Sequence, residues 1–245
     1  MGLGIKWHML QLRQLLRLSY YKTSYPELVT DAYPFKPVWI DAWKVRLHLN
    51  LTCFDTSSLP KMIKLTPSKR RFCSTGSAGF VLSGLWSDYV TDYCPEKSLL
   101  YSALKSRCTE SSEWFDTEWF NSVSSKVRSG QCSWNGCTNQ NDIINRCIRA
   151  DKLIKSIQKN GFLHKIEPVL INIGPKGEFI SNGNGQHRIM LGMIFNSKVP
   201  VQVVVRHAKW QLIRNEYKEK QKNIVNAYSY HPDLMSLSVN RCNYV

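Results

Sequence analysis

ISNGNGQHRIMLGM, residues 180–193, changes character in its middle. Ile180 closes one apolar run and Ile189 opens another; between them stand Asn182, Gly183, Asn184, Gly185 and Gln186, then His187 and Arg188. Glycine and asparagine tolerate positive φ, so a segment this rich in them reads as a sharp turn. Upstream, VLINIGPKGEFIS (169–181) carries branched residues in alternation, as a hairpin does with its tip between Gly174 and Gly177. Downstream, Ile189, Met190, Met193 and Ile194 recur at helical spacing. A strand becomes a helix here, so this part of the chain belongs to the α/β class.

Working outward, the same alternation of element types continues. In NDIINRCIRADKLIKSIQKNG (141–161), Ile143, Cys147, Ala150, Ile154 and Ile157 are spaced by four, three, four and three, one face of a helix of about five turns. Asn160-Gly161 is a natural C-cap, and the opposite face carries Arg146, Arg149, Lys152, Lys155 and Lys159. After the turn, VPVQVVV (199–205) is β-branched and reads as a buried strand; RHAKWQLIRNEYKEKQKNIV (206–225) reads as a basic amphipathic helix. Helix, strand, strand, turn, helix, strand, helix is an α/β unit with short connections. Earlier in the chain, PFKPVWIDAWKVRLHLNLT (34–52) has the aromatic and β-branched content of one or two strands. LTPSKRRFCSTGSAG (65–79) reads as a loop whose Lys69, Arg70 and Arg71 could touch phosphates, although a triplet of bases in a loop is usually just solvated. Trp114, Phe115, Trp119 and Phe120 read as a packing group: Glu110, Glu113, Asp116 and Glu118 surround them, whereas a base-stacking platform is lined with cations. The expected organisation is an N-terminal extension of mixed helix and strand over 1–110, the α/β domain over 111–226 and a C-terminal tail over 227–245.

Lysine and arginine number 33 against 18 acids, a formal net charge of +15 in 245 residues. That excess concentrates anions of any kind at the surface: phosphates, nucleic acid or acidic lipid. The opening MGLGIKWHMLQLRQLLRLSYYK lacks the layout of a targeting peptide, because Lys6, Arg13 and Arg17 interrupt it and no small-residue cleavage site follows. Leu10, Leu12, Leu15 and Leu16 line one face of a basic helix, expected to pack on its own domain rather than on a membrane. No stretch is long and apolar enough for a transmembrane segment, so a soluble, cytoplasmic protein is expected. Eight cysteines are scattered; Cys132 and Cys137 form a close pair with Cys147 nearby, but no fourth ligand accompanies them. Reduced thiols and no structural metal are expected.

The chemistry suggested by the turn is anion binding. A helix N-terminus presents unpaired amides and a partial positive charge, and glycines such as Gly183 and Gly185 let an anion approach closely. Arg188 can grip phosphate with two prongs, His187 adds a donor, and Asn184 and Gln186 add neutral ones. The spacing fits neither GxxxxGK[ST] nor the three glycines of a dinucleotide fingerprint. The competing reading is structural, with Asn and Gly making the turn and Arg188 pairing nearby.

Residues 141–210 resemble the ParB/sulfiredoxin-like superfamily. DKLIKSIQKNGFLHKIEPVLI is similar to its opening pattern, GQHR (185–188) stands where ParB domains carry G-E-R-R and sulfiredoxins G-C-H-R, and VPVQVVVRHAKW resembles the closing strand of a subgroup with a G-x-H-R box. The resemblance implies a small mixed sheet with flanking helices. It also implies that the box, Gly183 to Arg188, holds the phosphates of ATP or CTP, with or without Mg2+, and Arg206 and His207 at the end of the closing strand are counted with it. Gln186 replaces the sulfiredoxin cysteine, so sulfinic-acid reduction is not expected. The residues after Trp210 are too few for the DNA-reading helix-turn-helix of ParB. The turn has no carboxylate, so a general base must come from elsewhere: Glu167 and His164, before the Pro-led strand, are the nearest candidates in this fold, with His187 as proton relay. The expected function is nucleotide binding, with phosphoryl transfer or switching. The alternatives are weak, salt-sensitive nucleic-acid binding and a non-catalytic interaction module.

Overall fold

A computed structural model describes residues 2–50, 78–130, 136–163, 168–220, 228 and 230–238. The hairpin anticipated around Gly174–Gly177 is present. Strand β5 (Val169–Ile173) and strand β6 (Phe179–Ser181) pair antiparallel, and Gly177 N–H closes the tip by donating to Gly174 O at 3.2 Å. Gly177 sits at φ +87°, and a Cβ there would lie 2.6 Å from the Trp210 ring, so position and packing both demand glycine. Helix α5 (Gln186–Ile194) follows the turn, and strand β7 (Lys198–His207) returns parallel to β5. Helix α4 (Gln140–Asn160) precedes the hairpin and buries Ile143, Cys147, Ala150, Ile154 and Ile157, the five residues its spacing singled out. Asn139 caps it by accepting from Asp142 N–H, and Gly161 ends it at φ +66°.

The sheet does not stop at the boundary expected near residue 110. Strands β1 (Val38–Asp41), β2 (Val45–Leu49), β3 (Phe80–Leu82) and β4 (Val90–Asp92) all join it. The order is β1-β7-β5-β6-β2-β4, with β3 paired beside β1 on the outer side of β7, seven strands in all among the described residues. β1 covers the start of β7 antiparallel, and β2 covers β6 in parallel. The described residues before 110 are therefore no appendage: their strands cover edges that the hairpin and β7 would otherwise expose.

One face of the sheet carries the larger core. Val45, Ile171, Phe179 and Val201 meet Ile143 and Ile154 of α4, Ile189 and Met193 of α5, and helices α2 (Leu99–Thr109) and α3 (Glu118–Arg128). Trp114 and Trp119 pack edge-to-face there at 5.6 Å, and Trp114 donates to Asp151, which also holds Arg107. The aromatic group is thus core as expected, except Phe115, which is exposed. The opposite face holds a smaller cluster of Leu49, Leu82, Trp86, Leu170, Ile180 and Val204. Helix α1 (Gly2–Ser24) packs on β3 through Leu18 and Tyr21. Of the leucines expected to face inward, Leu12 and Leu16 are exposed instead, and Gln14 occupies the buried side.

Helix α6 (Ala208–Lys220) follows β7, and a short helix α7 (Pro232–Ser238) lies where a tail was expected. Asp233 fastens it. That carboxylate receives Arg206 Nη2 at 2.6 Å, Arg206 Nε at 3.0 Å and Trp210 Nε1 at 3.0 Å, while Arg214 Nη1 donates to the Asp233 carbonyl. Burial alone would raise the Asp233 pKa, but the two guanidinium groups overcome it and hold the carboxyl far below its ordinary range. Cys94, Cys108, Cys137 and Cys147 are free thiols.

Candidate anion site at the glycine turn

Three features of the local chain build the turn. β6 ends at Ser181, whose Oγ accepts Gly183 N–H at 3.3 Å, and Asn182 Oδ1 accepts Asn184 N–H at 3.1 Å. Gly183 and Gly185 take φ +86° and +76°. A Cβ on Gly185 would stand 3.0 Å from Val169 Cγ2, so glycine allows the turn to lie against the start of β5. Helix α5 then begins with Gly185 as a left-handed N-cap and without a side-chain cap. The first amides of a helix have no intrahelical acceptor; in α5, Arg188 N–H of the first turn is taken by its own N-cap, donating to Gly185 O at 2.9 Å. The amides of Gly183 and Asn184 are also taken, by Ser181 and Asn182. The amide cradle foreseen from Gly183 onward therefore begins at Gly185.

The electrostatics favour negative charge. His187, half-buried on the first turn of α5, has its pKa pushed down to about 4, first by loss of solvent and then by the positive charges of Arg188 and Arg146. Arg146 comes from α4, where the sequence placed it opposite the apolar stripe; it is half-buried. Its field at His187 brings cations of two helices to one helix N-terminus. Gln186 and Asn184 lie on the same turn.

Two further groups come from the segment that sequence reasoning placed outside the site. β2 pairs with β6 so that His48 lies opposite Ser181. Its imidazole borders the turn: a Cβ on Gly183 would be 3.7 Å from His48 Cε1. Tyr93 lies beside it, ring centroids 5.9 Å apart. His48 Nδ1 and Tyr93 Oη are both buried without a hydrogen-bond partner among the described residues. Burial lowers the His48 pKa, and burial followed by Glu96 pushes Tyr93 up to about 12. Nothing in the spacing of RLHLN marks His48; only the strand pairing brings it to the turn.

Arg206 and His207 are not at this site. β7 runs parallel to β5, with Val169 beside Val201 and Ile173 beside Arg206. Gly185 touches Val169, so Arg206 lies about 13 Å further along the strands, at roughly 3.3 Å per residue. Arg206 is committed to Asp233, and His207 Nδ1 accepts Lys209 N–H at 3.1 Å beside the Trp86 ring. The reason is the direction of β7, which carries its C-terminal end away from the turn. His164 and Glu167 lie outside the described residues.

The donor set, amides plus imidazole plus guanidinium, fits a phosphate chain. Residues 181–188 bring no carboxylate, and among the described residues no group of three or more His, Cys, Asp or Glu is placed to hold a metal ion. No described helix is long and apolar enough to cross a membrane. No family model, no curated protein and no solved structure matches this chain.

Proposed function

We propose that this protein binds a nucleoside triphosphate through its phosphates at the N-terminus of α5, in the manner that the resemblance to ParB and sulfiredoxin implies. The observation that carries the reading is the meeting of Arg146, His187 and Arg188 at a left-handed glycine cap, with the His187 pKa lowered first by burial and then by its cationic neighbours. Gly185, Gln186 and His187 supply amides, Arg188 a charge-assisted grip and neutral His187 a donor to a phosphate oxygen. Base selection falls to groups outside the turn.

Calorimetry with ATP, CTP and GTP, each with and without magnesium, tests this directly. Arg188→Ala is expected to lose roughly tenfold or more in affinity, since a charge-assisted hydrogen bond contributes roughly 1.5–3 kcal/mol. Unchanged affinity removes Arg188 from the site. A collapse in melting temperature supports the structural reading of the turn. Phosphate release to water or to an acceptor separates a phosphotransferase from a nucleotide-gated switch.

A second reading, nucleic-acid binding, is favoured by the exposed Lys152, Lys155 and Lys159 along α4. Salt discriminates the two. Affinity resting on many phosphate contacts falls by orders of magnitude over a few-fold rise in salt, whereas a single bound nucleotide responds much less.

A further inference from the structure

Helix α1 has two unlike apolar faces, and only one is used by the fold. Inward, Leu18 and Tyr21 meet Phe80 and Val29, Gln14 Nε2 donates to Ala78 O at 2.8 Å, and a Cβ at Gly79 would stand 2.8 Å from Leu18 Cδ1. Outward, Met9, Leu12, Leu16 and Tyr20 follow at steps of three, four and four, one side of a helix, with exposures of 63, 54, 65 and 65%. An aligned row of large apolar side chains, rather than scattered single ones, marks an interaction surface.

The charges along the helix say what covers it. Lys6, Arg13, Arg17 and Lys22 precede the first acid of the chain, Glu27. Arg13 and Lys22 are exposed, while Arg17 stacks over Tyr21 and Phe80 at 5.5 and 5.2 Å. We propose that the outward face of α1 docks on an anionic lipid bilayer, lying in the plane of its surface. A stripe of leucine, methionine and tyrosine with exposed Arg13 at its border, on a helix that carries bases and no acid, has the composition of an interfacial helix. The excess of +15 over the whole chain adds attraction to anionic headgroups. A self-complementary pairing of two copies through this face would instead set basic helix against basic helix. The surface is independent of the glycine turn.

The test is co-sedimentation of the full chain with vesicles of phosphatidylcholine alone and of phosphatidylcholine with phosphatidylserine. Leu12→Ser/Leu16→Ser leaves the charge unchanged, so it separates burial of the stripe from the general attraction of a basic protein. Wild type is expected to bind the anionic vesicles, and the double variant to bind them about tenfold more weakly or worse. Both substituted side chains are exposed, so the melting temperature should hold. Met9→Ser/Tyr20→Ser repeats the measurement on the same face should the first pair fail to fold. Equal binding by wild type and variants, or no binding to either vesicle, overturns the proposal. So does a concentration-dependent dimer in light scattering, without lipid, that Leu12→Ser/Leu16→Ser abolishes, which would assign the face to a second copy.

Discussion

At the scale of single residues, His187 reports on its surroundings. Its pKa is lowered from 6.5 to about 4, so it is neutral at physiological pH and serves as a donor or acceptor without charge. An unfolded chain binds that proton more readily, so this residue adds stability above pH 6.5 that is lost as pH falls toward 4. His48, His207 and His231 shift in the same direction and act with the same sign. Urea titrations from pH 7.5 to 4 should show stability declining on the acid side, and His187→Asn should flatten part of that slope. Phosphate beside the imidazole would stabilise its charged form. An upward move of the His187 NMR titration on adding triphosphate is therefore expected, and a fixed midpoint would speak against phosphate contact. His48 offers a complementary test. Its Nδ1 gives up no protein hydrogen bond among the described residues, so His48→Phe should leave the melting temperature near that of wild type. If the imidazole faces the bound phosphates, the same variant loses a few-fold to about tenfold in nucleotide affinity.

At the scale of elements, α7 is held by charge more than by its length. Its seven residues are too few to be helical alone. Asp233 neutralises Arg206 and Arg214, whose side chains are 4% and 2% exposed. Arg214 also reaches Asp31, at 3.0 Å, in the N-terminal segment. Asp233→Ala should cost about 3–5 kcal/mol, because it leaves the Arg206 guanidinium buried with its carboxylate gone and Arg214 with Asp31 alone. Chemical denaturation checks this, and a loss below about 1 kcal/mol would mean that water reaches the arginines. The folded Asp233 pKa lies below 3.8, so its contribution is present at neutral pH and disappears only as acid protonates the carboxyl. Nucleotide affinity, measured where the variant stays folded, should hardly change, since this network lies at the other end of the strands from the turn.

At the scale of the whole molecule, the sheet is shared between the two halves of the chain. A fragment of residues 111–245 keeps β5, β6 and β7 but exposes the edges that β1, β2 and β3 cover. It should remain unfolded or aggregate, as circular dichroism and size-exclusion chromatography would show; a cooperatively folding fragment would restore the boundary at 110. The helix of 140–160, the hairpin, the turn and the helix after it were legible along the chain, because each rests on spacing and turn chemistry within some twenty neighbours. The buried stripe of α4 and the left-handed Gly185 follow from helical period and from the missing Cβ, which need no partner to be recognised. Strand order, the approach of His48 to the turn, the field of Arg146 at His187 and the removal of Arg206 to Asp233 were not legible. Each of those depends on pairing between residues tens to more than a hundred positions apart. A local pattern shows which face of an element is apolar; what that face meets depends on burial shared across the molecule. Hence Leu12 and Leu16, the evident apolar face of α1, lie outside, while Leu18 and Tyr21 form the contact with Phe80.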